Sequence, residues 1–343
     1  MSQLGLLTFA TVCVDASPPP VRLRPQARGT NSVTGSPPGT QWRGQMRRFS
    51  GFRLAAVGSV LACVLALVPV VPASATSTSN SNPNNYLALG DSVPFGYNPL
   101  LVADGDLVPS HFVGYPQLAA NLFTPSLDVV NASCPGETSG SMIDMTAPDN
   151  GCQLYRHIGA LHVSYTVSQL SYAESYLADN PQTKFVSLMI GANDLLLLQD
   201  SCVNASDANA CIIQGLPSLL VTLRTHLTTI YAGLRARGYH GDLVAVTYYS
   251  TNYRDPIVTG AIAAVDVVLA GVTKVFGGKV ADGFGTFAKA AAPYGGDTCA
   301  AGLLIRLTSS TCNIHPSRKG ANLLASALYA AERPPALFAA ERR

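Results

Sequence analysis

Ser92 stands directly behind the apolar run Tyr86-Leu87-Ala88-Leu89 in the tripeptide Gly90-Asp91-Ser92, which reads as a strand delivering a hydroxyl at its C-terminal tip. A serine hydroxyl is a weak nucleophile until a base takes its proton. His315, in Cys312-Asn313-Ile314-His315-Pro316, is the candidate base, because imidazole titrates near neutral pH. Two more blocks hold residues suited to a substrate's polar atoms. Gly136, in Cys134-Pro135-Gly136-Glu137-Thr138, lets backbone approach closely because it has no Cβ. Asn193, in Gly191-Ala192-Asn193-Asp194, donates hydrogen bonds without carrying charge. Together these groups suit attack on an acyl carbon.

Such residues work only if the fold gathers them. Short apolar, partly β-branched runs alternate here with longer amphipathic ones, which predicts repeated β-α units around a parallel sheet. Strands are expected at residues 86–89, 127–131, 185–190, 243–248 and 279–282, and helices at 112–123, 167–178, 216–237, 257–275 and 317–331. Pro316 suits an early position of the last helix, where its missing N–H costs little. In open sheets of this kind ligands bind beyond the strand C-termini. Ser92 follows the first strand, Gly136 the second and Asn193 the third, while His315 lies in the loop entering the last helix, so one sheet edge collects all four.

The four blocks, in this order and over about residues 86–330, resemble the SGNH (GDSL) hydrolases, named for Ser, Gly, Asn and His. That resemblance, nearest to the secreted actinobacterial esterases and lipases, implies a three-layer α/β/α sandwich with a mainly parallel five-stranded sheet, the flavodoxin-like SGNH fold. It implies a hydrolase cleaving carboxylic esters through an acyl-enzyme on Ser92 with His315 as general base. The oxyanion hole would comprise the Ser92 and Gly136 backbone N–H groups and the Asn193 amide, and no metal or cofactor is expected. One departure stands out. The family pattern before the histidine is Asp-x-x-His, whereas position 312 is Cys312, so a Ser-His dyad is expected, with the Cys312 carbonyl fixing the imidazole tautomer. Asp91 and Asp194 read as structural carboxylates, and Asp297 is a more distant orienting candidate. The rival readings are a carbohydrate O-deacetylase using the same four groups and a non-catalytic exported binding module.

The N-terminus predicts export. Residues 46–53 are basic, 54–71 carry no charge, and Ala73-Ser74-Ala75 supplies small residues for cleavage, so 46–75 reads as a signal peptide. The competing readings are a retained anchor and a lipidated Cys63. Residues 1–45 read as a leader or an over-called start, and 76–343 as a single domain. Beyond residue 75, Lys+Arg falls from 22 to 15 and Asp+Glu from 20 to 19, turning a formal +2 into −4. That balance argues against nucleic-acid binding. With Cys13 and Cys63 in the leader, six cysteines remain in an exported domain, an even number that implies disulfides. Six cysteines permit 15 connectivities. The simplest, and the one the resemblance implies, pairs neighbours: Cys134 with Cys152, Cys202 with Cys211, and Cys299 with Cys312. A monomer acting on a small-molecule or lipid ester is expected, with no membrane span left after signal cleavage.

Several motifs point elsewhere weakly or not at all. There is no Cys-x-x-Cys pair, no His-Glu-x-x-His and no Gly-x-Ser-x-Gly elbow. Gly283-Phe284-Gly285-Thr286-Phe287-Ala288 matches a loose dinucleotide pattern without the later acidic residue. Asn131 and Asn204 both begin glycosylation acceptor triplets. Residues 98–109 form a partly apolar loop, and Tyr165, Tyr172 and Tyr176 recur at helical spacing, as a packed face does.

Overall fold

Tyr86, Leu87, Ala88 and Leu89 are all fully buried, as a strand covered on both faces must be. They form most of β1 (Asn85–Gly90) in a computed structural model that describes residues 82–333. The leader, the signal segment, Cys13 and Cys63 lie outside the described residues. β2 (Asp128–Asn131), β3 (Phe185–Met189), β4 (Asp242–Val246) and β5 (Lys279–Ala281) complete a five-stranded sheet of order β2-β1-β3-β4-β5. Every pairing is parallel, with Leu87 opposite Val130 on one side and Val186 on the other. β3 is buried along its whole length, whereas the edge strands β2 and β5 are only partly so. The chain runs outward from β1 in both directions, which opens a crevice beyond the C-terminal tips of β1 and β3.

The helices are α1 (Ser92–Phe95), α2 (Pro99–Ala103), α3 (Tyr115–Ala120), α4 (Cys152–His157), α5 (Gln169–Asp179), α6 (Ala192–Cys202), α7 (Ala208–Ala236), α8 (Pro256–Val275), α9 (Gly283–Ala291) and α10 (Arg318–Glu332). α5, α6 and α8 pack on α7 over one face of the sheet, while α3, α9 and α10 cover the other. All five expected strands form. α7 begins eight residues earlier than the expected 216, capped by Asp207, and carries Pro217 inside it, so this proline does not mark a helix start. The dinucleotide-like glycine pattern is simply the first turns of α9, capped by Asp282. α8 is, among the described residues, the one helix long and apolar enough to cross a membrane by composition. It packs here against α7, β4 and β5.

The expected set lacks the short helices α1, α2, α4, α6 and α9, and it lacks a hairpin. β6 (Leu304–Arg306) and β7 (Cys312–Pro316) form a separate antiparallel hairpin. His315 therefore sits on a strand rather than in a loop. Pro316 ends that strand, and Ser317 caps α10 by accepting from the Gly320 N–H.

Candidate active site

Gly90 has φ +132°, and a Cβ there would fall 2.1 Å from the Met189 carbonyl oxygen, so only glycine lets β1 turn so tightly beside β3. The chain then enters α1 at Ser92. Asp91 caps it: its buried carboxylate accepts from the Val93 N–H at 3.0 Å and from the Tyr248 hydroxyl. Burial pushes the Asp91 pKa up to about 7 against those two bonds.

The Ser92 Oγ lies 2.8 Å from His315 Nε2. On the other side of the ring, Nδ1 meets the side-chain oxygen of Asn313, which also accepts the His315 backbone N–H at 3.1 Å. An amide oxygen only accepts, so Nδ1 carries the proton and the Nε2 lone pair faces the serine hydroxyl. This corrects the expected orienting group. Cys312 pairs across the hairpin with Arg306, and strand alternation places Asn313 on the face that carries His315. The carboxylates considered from sequence are engaged elsewhere. Asp91 is held by Val93 and Tyr248, Asp194 by Ser139, and Asp297 by the Ala300 N–H and Arg254. Burial drives the His315 pKa down to about 3, with only a neutral amide opposite Nδ1. The Tyr97 ring packs 4.6 Å from the imidazole, and the Tyr249 hydroxyl donates to the Ile314 carbonyl at 2.8 Å, fastening the hairpin to the main sheet.

Gly136 has φ +85°, and a Cβ would lie 2.2 Å from the Asn150 carbonyl oxygen, so glycine is required where the loop folds back on itself. Its own carbonyl accepts the Asn150 N–H at 2.8 Å. Among the described residues the Gly136 and Ser92 N–H groups have no protein acceptor. The buried Asn193, in the first turn of α6, donates from Nδ2 to the Glu137 carbonyl at 3.0 Å and accepts at Oδ1 from Asn150 at 3.2 Å. An amide nitrogen has two hydrogens, which leaves one for a further acceptor. Asp194 beside it accepts from the Ser139 N–H at 2.9 Å and from its hydroxyl at 2.5 Å, and the same hydroxyl faces His226 Nδ1 at 2.8 Å.

The six cysteines of this domain are bonded as Cys134–Cys152, Cys202–Cys211 and Cys299–Cys312. The first bridge spans the Gly136 loop, the last joins β7 to the preceding turn, and the middle one ties α6 to α7. The segment 98–109 contains α2, and Val93, Tyr97, Asn98, Val113, Ile305 and Pro316 line a cavity of about 200 Å³ that thus borders the chain neighbours of Ser92 and His315. Tyr165, Tyr172 and Tyr176 stack in sequence, centroids 5.1 and 6.2 Å apart. Asn131 is buried with its amide on the Pro94 carbonyl, whereas Asn204 is exposed between α6 and α7.

The order Ser92, Gly136, Asn193, His315, with the first three on successive β1, β2 and β3 exits, coincides with a match of residues 88–323 to the model of the GDSL-like lipase/acylhydrolase family. The chain belongs to that family. GDSL-like hydrolases act on esters, and several solved structures resemble the chain at low sequence identity. An extracellular lipase from Streptomyces rimosus is 18% identical over 72% of this chain and 99% of its own, with a TM-score of 0.49. A phospholipase A1 from Streptomyces albidoflavus is 20% identical over 72% and 98%, TM-score 0.46. An acetylxylan esterase from Geobacillus stearothermophilus is 17% identical over 73% and 94%, TM-score 0.44. No similar protein was found among curated sequences. Within this GDSL-like site, sequence reasoning missed Asn313, Tyr97, Tyr248, Glu137 and Gln169. Asn313 had a signal, since residues two apart in a strand share a face. Tyr248 and Gln169 reach the site from far along the chain, whereas Tyr97 and Glu137 are chain neighbours of Ser92 and Gly136 that carry no local signal of their contacts.

Proposed function

We propose that this GDSL-like hydrolase is an exported carboxylic ester hydrolase that works through an acyl-enzyme on Ser92. The observation that carries the reading is the 2.8 Å contact between Ser92 Oγ and His315 Nε2, with an acceptor already fixing the other ring nitrogen. His315 takes the serine proton as Oγ adds to the ester carbonyl carbon. The carbonyl oxygen gains negative charge, met by the Ser92 N–H, the Gly136 N–H and the second hydrogen of Asn193 Nδ2. Protonated His315 then returns the proton to the departing alkoxide. Water, deprotonated by the same ring, attacks the acyl-serine; the acyl–Oγ bond breaks, protonated His315 returns its proton to Ser92 Oγ, and the acid leaves. Asn313 holds the tautomer throughout and brings no charge of its own.

The substrate side favours an apolar ester over a sugar acetate. Leu100, Val108 and Val113, on the segment following Tyr97, and Leu307 and Ile314, on the hairpin with His315, are all exposed. Three disulfides and the signal-like segment 46–75 support export. A fluorophosphonate probe should label the wild type at Ser92, and Ser92→Ala should lose both labelling and turnover. Retained labelling of Ser92→Ala would overturn the nucleophile. In a panel of p-nitrophenyl esters and acetylated xylan, kcat/KM should be higher for acyl chains longer than acetate. A preference for the polysaccharide would favour the deacetylase reading instead.

A further inference from the structure

Glu137 and Gln169 are both completely buried and belong to no step above. Gln169, the first residue of α5, is bonded to both sides of the Gly90 peptide: its Oε1 accepts the Gly90 N–H at 2.6 Å and its Nε2 donates to the Gly90 carbonyl at 2.9 Å. The second Nε2 hydrogen goes to the Glu137 carboxylate at 2.9 Å. Glu137 immediately follows Gly136, and its backbone carbonyl holds Asn193 Nδ2 at 3.0 Å. Its carboxylate also accepts from Arg156 at 2.6 Å and from the Ser141 hydroxyl at 2.5 Å. Three donors converge on it, as suits the ionised form. The Cys134 N–H adds a direct link to the Gly90 carbonyl at 3.0 Å.

Through this one residue every oxyanion donor is tied to the others. The main chain of Glu137 continues the Gly136 donor and grips the Asn193 donor, while its side chain reaches through Gln169 to the peptide two residues before Ser92. Burial of a charge pair gives little net stability compared with well-packed apolar residues, so stability alone does not account for a Glu137–Arg156 pair here. An oxyanion hole, in contrast, depends on donors fixed before charge develops. We propose that Glu137 and Gln169 are positioning residues that set the spacing of the three oxyanion donors, with Arg156 holding the Glu137 carboxylate in place. The proposal rests on the acyl-enzyme reading.

The test is a double-mutant cycle in the exported full chain with a short p-nitrophenyl ester. Active sites are counted by end-point fluorophosphonate titration, so partial unfolding drops out of the rate. Gln169→Met keeps the volume and removes all three bonds. It should lower kcat per titrated site by about 10- to 100-fold, in the range expected for an ångström-scale misplacement, with KM within about twofold. In an Asn193→Ala background the same change should cost clearly less than in the wild type, because one of the three donors it positions is gone and two remain. Glu137→Gln is the second probe and should follow Gln169→Met. Unchanged kcat per titrated site, or a full multiplicative loss in the Asn193→Ala background, would overturn the proposal. A wild type that neither labels nor turns over would instead remove the underlying reading.

Discussion

On one side of the cleft Asn131, Ser133, Glu137, Ser139 and Ser141 are buried and hydrogen-bonded, next to a disulfide and against the main sheet. On the other, His315 rides on a two-stranded hairpin whose turn, residues 307–311, is exposed. It is held by Asn313, Tyr97, the Tyr249 hydroxyl on Ile314 and the Cys299–Cys312 bridge. Stabilising an oxyanion demands donors fixed in advance, because any reorganisation is paid at the transition state. A proton carrier must instead serve two partners in turn, the serine and the leaving group. The difference teaches that, on the proposed mechanism, burial and hydrogen bonding are densest where charge would develop.

That contrast can be broken from either side. The largest expected effect lies on the buried side: Asn193→Ala should lower kcat by about 100- to 1000-fold with KM little changed, measured by steady-state kinetics. On the hairpin side, the proposed base must be neutral to act, and burial has pushed the His315 pKa well below the usual value, to about 3. The acid limb of kcat/KM in the wild type should therefore fall well below pH 6.5. Asn313→Asp puts a negative charge at Nδ1 and should raise that limb by about 1–3 pH units, read from the pH profile. A limb that stays put would mean that Asn313 does not govern the ring.

The disulfides sharpen the same contrast at smaller cost. Replacing Cys299 and Cys312 together by Ser, or Cys202 and Cys211 together, should each cost on the order of 3 kcal/mol of stability by loop entropy, followed by thermal melting. Only the first pair should also lower kcat, since only that bridge fastens the strand bearing His315. A further effect, confined to the pH dependence of stability, concerns Asp91. Its pKa is raised from 3.8 to about 7, so the native state keeps a proton that the unfolded chain releases. Its contribution to stability is full below pH 3.8 and is lost as pH rises towards 7. Asp91→Asn should make the melting temperature less steep in pH across that window.

What the sequence disclosed follows the physics of each region. β1, β3 and β4 are apolar runs long enough to read directly, and a parallel sheet places the groups after successive strands on one edge, so Ser92, Gly136 and Asn193 were legible as a set. The hairpin was not. β6 has three residues, β7 ends in proline, and the intervening Leu307-Thr308-Ser309-Ser310-Thr311 carries no glycine or asparagine turn signal. Read as a loop, 312–316 hides the shared face of Asn313 and His315, so the family's Asp-x-x-His spacing points to Cys312 instead. α6 and α9 were hidden because their first turns carry the site asparagine and a glycine-rich stretch. Gln169 and Glu137 meet Gly90 and Asn193 only after folding, and no local pattern announces contacts of that range.

The burial of Asn131 bears on how the protein can be manufactured. A eukaryotic secretory route attaches glycans to Asn-x-Ser triplets while the chain is still being threaded into the lumen, before β2 is in place. A glycan on Asn131 would have to occupy the space in which its amide meets the Pro94 carbonyl, whereas one on the exposed Asn204 would project freely. Yeast cultures should accordingly yield more active enzyme when glycan transfer is inhibited, and a bacterial exporter should need no such help.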